Sequence, residues 1–396
     1  MKGLKIVLGA LCCTALCSCF KDEPLNSECD VEQAYIHADN PTALFFNVND
    51  TLVNVLTTER NIKFKVLPGA DLTALTPHFR VTEGATVRAA DGSAADAPRD
   101  FSGGKSVAYT VTSQDGQWSK TYTVSMTVRE DLSVFDFENF SLSSEYAYRP
   151  FYEWKERNAA GELSEFWATG NAGFDISMGE ENEDNHVGAD QFPTVPIADG
   201  YEGHGVKLTT CDTGPFGTLV NMRIAAGNLF SGRFNVDEAL GETMKTTMFG
   251  QPMSRKPVKF IGYYKYKSGK DFQNRMGEIQ QGVVDKGDIY CVVYRNVDGN
   301  GQSVVLDGNN IRSSSLIVGT AIIDEVKVTD EWTRFEIPFT YTKDIDPAIL
   351  AAHGYNLAIV FTSSYRGASF EGAVGSTLWI DSVKLIWDDD DDDDNQ

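Results

Sequence analysis

The chain has 396 residues, 42% of them hydrophobic and 11% aromatic, enough for two or three packed domains and incompatible with wholesale disorder. Its formal charge is −23, from 34 Lys and Arg against 57 Asp and Glu, a field that repels nucleic acid and anionic lipid headgroups. Only five histidines are present, at 37, 78, 186, 204 and 353, and none shows metal-ligand spacing.

Residues 1–19 read as an export signal. Lys2 and Lys5 make a basic start, and Ile6 to Cys17 is an apolar run of twelve, short of the ~20 residues a spanning helix needs. Leu16-Cys17-Ser18-Cys19 resembles a bacterial lipobox, with Cys19 as the lipidated residue. Phe20-Lys21-Asp22-Glu23 is similar to the charged signal for transfer to the outer face of the outer membrane. The expectation is an outer-membrane, surface-exposed lipoprotein that touches the membrane only through its lipid. Cys29, Cys211 and Cys291 remain in the mature chain, too few for a disulfide framework, with one bridge left open. Cys291 alternates with Ile289 and Val293, the pattern of a buried strand thiol.

Residues 20–28 read as a tether. Over 29–131 the pattern is short strands: Val107, Tyr109 and Val111 alternate with small polar residues, as do Tyr122, Val124, Met126 and Val128. Asp115-Gly116 between them is a hairpin signal, and Asn61–Leu67 is a similar run. This period-two pattern predicts an immunoglobulin-like β-sandwich serving as a spacer.

Residues 132–387 are again mostly β, with strands predicted at Val258–Tyr266, Asp288–Tyr294, Ser303–Leu306, Thr333–Phe339, Leu357–Thr362 and Thr377–Ile386. Asp346, Pro347 and Gly354 frame one helix, Pro347 to His353, and Asn235 caps a second, Val236 to Leu240. Many strands with Gly-rich connections over this length predict a decorated jelly roll, making the chain all-β with few short helices. Asp388–Asp394 is an unbroken acidic run, so 388–396 reads as a solvated tail, yet the rest of the chain stays acidic without it.

Five segments of the second domain carry a resemblance. They are Phe135-Asp136-Phe137-Glu138-Asn139, Trp167-Ala168-Thr169-Gly170-Asn171-Ala172-Gly173-Phe174, Ile224-Ala225-Ala226-Gly227-Asn228-Leu229-Phe230, Gly262-Tyr263-Tyr264-Lys265-Tyr266-Lys267 and Gly372-Ala373-Val374-Gly375-Ser376-Thr377-Leu378-Trp379-Ile380-Asp381. In this order they resemble the Bacteroidetes lipoproteins of the putative carbohydrate metabolism domain family, over roughly 134–387. The resemblance implies an immunoglobulin-like module followed by a jelly roll similar to carbohydrate-binding modules.

Glycan recognition needs flat aromatic rings beside amides and carboxylates. Tyr152, Trp154 and Trp167 lie among Glu153, Glu156, Arg157 and Glu165, and are candidate platforms. In strand register Val258, Phe260, Tyr264 and Tyr266 share one face and Lys259, Tyr263, Lys265 and Lys267 the other, which makes Tyr263 the surface candidate. Jelly-roll binding modules often carry a structural Ca²⁺ between first and last strands, which points to Glu138 and Asp381 as oxygen ligands. Asn296–Asp307 has EF-hand-like spacing, but its Asp-Gly and Asn-Gly pairs suit a hairpin turn. No catalytic residue stands out: Gly-x-Ser-x-Gly, Walker, His-Glu-x-x-His and Cys-x-x-Cys motifs are missing from the mature chain. Glu153, Glu156, Glu165, Asp175 and Asp212 are the acids near the aromatic stretch on which a hydrolase would draw.

The expected function is therefore capture of a neutral oligo- or polysaccharide by the jelly roll, with no required cofactor. The alternatives are a glycoside hydrolase or lyase with paired carboxylates, and a structural or adhesion lipoprotein. The acidic chain disfavours polyanionic glycans unless a basic patch such as Lys259, Lys265 and Lys267 overrides the net field.

Overall fold

A computed structural model describes residues 25–45, 51–67, 70–128, 131–143, 149–158, 161, 163–179, 186–236 and 241–389. The expected export signal, Cys19, the helix expected at 236–240 beyond Val236, and the acidic run beyond Asp389 lie outside them. The chain forms two compact units that divide between Val128 and Arg129.

The first unit packs a three-stranded sheet against a four-stranded one. The hairpin forms where Asp115-Gly116 places it: Ser106–Thr112 pairs antiparallel with Ser119–Val128, with Tyr109 opposite Tyr122. Gly116 takes φ +70°, and the Asp115 carboxylate accepts the Gln117 N–H at 2.9 Å. One residue of each alternating pair turns inward, so Phe64, Val66, Tyr109, Val111, Tyr122 and Val124 are fully buried. Asn61–Val66 runs parallel to Ser119–Val128, closing the second sheet.

The second unit is a sandwich of two antiparallel sheets. One orders the strands Thr194–Ile197, Gly205–Thr209, Thr377–Trp387, Pro257–Lys267 and Thr329–Pro338, with Val134–Phe135 on the edge. The other orders Trp167–Thr169, Asn228–Phe234, Tyr355–Thr362, Asp288–Arg295, Ile317–Ile322 and Thr340–Tyr341, extended by Thr247–Phe249 and Gln251–Met253. Between them lies one core, to which Phe260, Tyr264, Tyr266, Leu378 and Ile380 contribute from the first sheet and Leu229, Ile289, Cys291, Val293, Ile359 and Phe361 from the second. Cys291 is fully buried, and Cys29, Cys211 and Cys291 are all free thiols, which closes the open question of a bridge.

Three local expectations change. Ser303–Leu306 is no strand; Ser303 and Leu306 make single bridges to Val297 and Phe249. The capped helix forms, with Asp346 accepting the Ala348 and Ile349 N–H groups, but it ends at Ala351. The left-handed residue after it is His353, at φ +54°, rather than Gly354. Two further helices of the second unit, Asn171–Met178 and Pro215–Leu219, carried no strong cap or periodicity and went unseen in the sequence.

Gly227 shows why one motif reads as it does. It donates to Thr209 O while Thr209 N–H donates to Pro193 O, and a Cβ here would sit 2.4 Å from both Pro193 O and Thr209 N. Neither backbone group can step aside. Gly227→Ala is expected to cost about 3 kcal/mol, read as a fall in the thermal midpoint; an unchanged midpoint would show that the strands slide freely here.

Candidate functional site

The sheet containing Asp288–Arg295 is apolar on both faces. Ile289, Cys291 and Val293 enter the inter-sheet core, while Tyr290, Val292 and Tyr294 join Phe230, Phe249, Ala358 and Val360 in a second cluster on the far side. Loops cover that far side incompletely and leave a cleft of about 300 Å³, at the small end of the range for ligand pockets. Its floor is Phe230, Tyr290 and Val360, edged by Asp288 and Thr362. One wall is the helix Asn171–Met178 through Phe174 and Ser177; the others come from segments 243–249, 308–313 and 364–370.

Three of the four walls are held by side-chain hydrogen bonds. Asp175 on the helix takes a buried ion pair from Arg149 at 2.9 Å, and Arg149 also donates to Gly179 O. Asn171 reads the Thr194 backbone both ways, its amide donating to Thr194 O at 2.8 Å and its carbonyl accepting Thr194 N–H at 3.1 Å. Asn228 accepts the Gly170 N–H at 2.7 Å. The wall at 364–370 hangs on Asp285, whose carboxylate accepts from the Ser364 hydroxyl (2.6 Å), the Ser376 hydroxyl (2.7 Å) and the Ala373 N–H (2.7 Å). Burial pushes the pKa of Asp285 up, while these donors pull it down. In the wall at 308–313 Asp307 and Asn310 cross-brace a turn, Asp307 accepting the Asn309 N–H and Asn310 accepting the Asp307 N–H. That turn delivers Arg312, which pairs with Asp288 and lies 4.5 Å above the Tyr290 ring.

The cleft is therefore aromatic and internally neutral. Burial raises the pKa of Asp288 and Arg312 opposes it, so the two charges satisfy each other at the floor. Asp288 is the one carboxylate among the described lining residues. At the rim Tyr365 is 40% exposed, and Arg366 sits 5.4 Å from its ring while pairing with Glu371 at 3.1 Å.

The structure does not bring the expected ring residues together in this cleft. Trp154 (2% exposed) and Trp167 (7%) are core residues, which corrects their assignment as platforms: their faces are covered by packing. Trp167 lies against Phe135, Phe137 and Phe166, and its indole N–H donates to Glu156 at 2.6 Å. Tyr152 donates to Asp190 at 3.1 Å and stands edge-on to Phe140. Tyr263 lies on the outward face of the other sheet, stacked on Tyr201 with centroids 3.6 Å apart. Of the acids near the aromatic stretch, Glu156 is buried against Trp167 and Asp175 is consumed by Arg149.

Glu138 and Asp381 do converge, but on the backbone of segment 199–204. Asp381 accepts the Glu202 N–H at 2.8 Å and the Ser382 N–H at 2.5 Å, and Glu138 accepts the His204 N–H at 2.6 Å and meets His204 Nδ1 at 2.7 Å. Oxygens filled by N–H donors do not fit a calcium ion. Among the described residues no three His, Cys, Asp or Glu gather as a metal group. Gly203 makes the approach feasible: at φ +64°, its Cβ would lie 2.1 Å from Glu138 Oε1. The stretch 296–307 is a turn in which Asp298 accepts the Asn300 and Gln302 N–H groups.

Comparison with known proteins agrees with this architecture. Residues 136–386 match the family model described as putative carbohydrate metabolism domain, and residues 43–126 match that described as SGBP, N-terminal. A solved structure described as a putative glycoside hydrolase from Bacteroides thetaiotaomicron is 38% identical, covering 93% of this chain and 99% of that one, with a TM-score of 0.67. Another, described in the same words from Bacteroides vulgatus, is 36% identical over 65% of this chain and 99% of its own, with a TM-score of 0.59. No curated protein matches.

Proposed function

We propose that this chain, which belongs to the putative carbohydrate metabolism domain family, is a glycan-binding protein that seats a neutral saccharide in the cleft of its second unit. The observation that carries the reading is the cleft itself. Tyr365, exposed at the rim above the buried aromatic floor, offers a ring face for sugar C–H groups, and Asp288 with Arg312 offers fixed hydrogen-bonding edges for hydroxyls. Because Asp288 and Arg312 neutralise each other, the site has no surplus charge to select an ionised ligand. The match of residues 43–126 to an SGBP N-terminal domain supports a place at the cell surface. In this reading Cys19 carries the lipid and the first unit gives reach.

The test is a panel of neutral plant and host oligosaccharides. Binding to at least one is expected, and Tyr365→Ala should weaken it about 5- to 20-fold, the loss of one ring contact of roughly 1–2 kcal/mol. Arg312→Ala should weaken it further by freeing Asp288. No binding across the panel, or binding indifferent to both changes, overturns the proposal.

The two solved relatives described as putative glycoside hydrolases favour a second reading, hydrolysis in the same cleft. The pair of carboxylates such chemistry uses, about 5–10 Å apart, is not met among the described lining residues, where Asp288 is the one acid. Release of shorter sugars from a bound ligand, abolished by Asp288→Asn, would establish that reading instead.

A further inference from the structure

The outward face of the sheet holding Pro257–Lys267 reverses the sign of the chain. Along this strand Lys259, Lys265 and Lys267 point away from Phe260, Tyr264 and Tyr266, which are buried in the core. The neighbouring strands add Lys207, Lys384 and Arg334 in register: Lys207 is opposite Trp379, Lys384 opposite Ile261, and Arg334 opposite Tyr263. Against these six cations the strands of the sheet set Asp330, Glu331, Glu336 and Asp381, the last fully buried and taken by N–H donors. Glu336 is shared by Arg334 at 2.6 Å and Lys259 at 3.8 Å. Among the described residues Lys207, Lys267 and Lys384 make no ion pair. In a chain of net −23, such a cluster stands against the surrounding field.

Rings are interleaved with these cations. Trp379 lies between Lys207 and Lys265 as their direct cross-strand partner on either side. Lys265 Nζ stands 4.6 Å from the Trp332 ring, and Trp332 meets Tyr201 edge-on at 6.5 Å. Tyr201, 42% exposed, stacks on Tyr263 because Asp381 and Glu138 pin the loop that carries it. Asp199, Asp330 and Thr329 bound a shallow groove over Trp379 and Lys265.

We infer that this face is a second saccharide-binding surface, distinct from the cleft and suited to polysaccharides bearing carboxylate or sulfate groups. Lys207 and Lys265 flank Trp379 from the strands on either side of it, two strand spacings or roughly 10 Å apart, which suits a chain with an anion on alternate residues. The rings between them take the C–H faces of the same sugars. A polyanion without sugar rings satisfies only half of this surface. The face thus supplies what the neutral cleft lacks, and its occupant need not be the ligand of the cleft.

The test uses the full chain with four polymers: polygalacturonate for carboxylates, dextran sulfate for sulfates, dextran for a neutral chain and polyglutamate for charge without sugar. Binding to polygalacturonate, dextran sulfate or both is expected, weakening about tenfold as NaCl rises from about 50 to about 500 mM. The double change Lys207→Ala with Lys267→Ala should weaken it about tenfold. Trp379→Ala should weaken it about fivefold at unchanged charge, while Tyr365→Ala in the cleft leaves it as it was. Preference between the two charged polysaccharides distinguishes carboxylate from sulfate. The inference is overturned if neither binds, if polyglutamate binds as well as they do, or if Trp379→Ala has no effect in a variant whose thermal midpoint is normal. None of these outcomes bears on neutral-glycan binding in the cleft, so the two proposals fail separately.

Discussion

Asp285→Ala is expected to lower the stability of the second unit by about 3–5 kcal/mol and to abolish binding in the cleft. The carboxylate is 1% exposed and ties together Ser364, Ala373 and Ser376 on one return of the chain. Removing it strands two hydroxyls and two N–H groups, those of Ala373 and Lys286, each costing roughly 1–3 kcal/mol when buried without a partner, less whatever the hydroxyls and the partly exposed Lys286 N–H recover. Thr210 is the one neighbour ready to absorb part of that loss, since its hydroxyl already lies 2.5 Å from that of Ser364. The functional consequence follows from position: Ser364 and Tyr365 line the cleft, so a loosened 363–376 segment removes a wall. Asp285→Asn, which keeps one acceptor oxygen, should fall between wild type and alanine. Denaturant unfolding with ligand titration checks both variants; a loss below about 1 kcal/mol for alanine would show that the network is redundant.

Glu156→Gln is expected to stabilise the protein at alkaline pH and to do nothing near pH 4.5. Burial lifts the Glu156 pKa from 4.5 to about 8, the Trp167 indole N–H opposes this, and nearby Asp136 adds to it. The folded form therefore keeps a proton that the unfolded chain gives up above its ordinary pKa. Stability must fall as pH rises from about 4.5 to about 8 and then level off for this group, because the folded state binds more protons throughout that window. The gap corresponds to about 3–5 kcal/mol. Glutamine retains an oxygen for the Trp167 N–H and carries no titrating proton, so the variant should be the more stable by that order at pH 8. Unfolding curves at the two pH values decide it: if wild type and variant run parallel, the carboxyl is ionised in the fold and the burial argument fails.

Both effects arise from residues whose role was invisible in the sequence. Glu156 reads there as one of several acids beside an aromatic stretch, and Trp154 and Trp167 read as platforms. A Trp next to a charged residue is compatible with a surface ring and with a buried one, and burial depends on what the rest of the chain places over it. Here Phe135, Phe137 and Phe166 cover Trp167, and the acid that seemed available to a substrate is its hydrogen-bond partner. The family motifs behave similarly. Gly227, Asn171 and Ser376 brace the cleft from behind while Phe174, Asn228 and Phe230 line it, so the resemblance reached part of the lining and passed over Tyr290, Arg312 and Tyr365.

The sequence by itself determined the all-β class, the hairpin at Asp115-Gly116, the capped helix at Asp346 and the facing of Phe260, Tyr264 and Tyr266 away from Lys259, Tyr263, Lys265 and Lys267. These are local matters: side chains alternate with period two along a strand, and turn residues act within four positions, so a short window contains the whole cause. It also isolated Lys259, Lys265 and Lys267 as a candidate basic patch. Only the tertiary structure added Lys207, Lys384, Arg334, Trp332 and Trp379 to that patch, because strand order and register are set between segments roughly 70 to 170 residues apart. The cleft is the stronger case. Its residues come from 170 to 370, from loops with no shared period, and their meeting is decided by how two sheets pack and which loops Asp285 and Arg149 tie down.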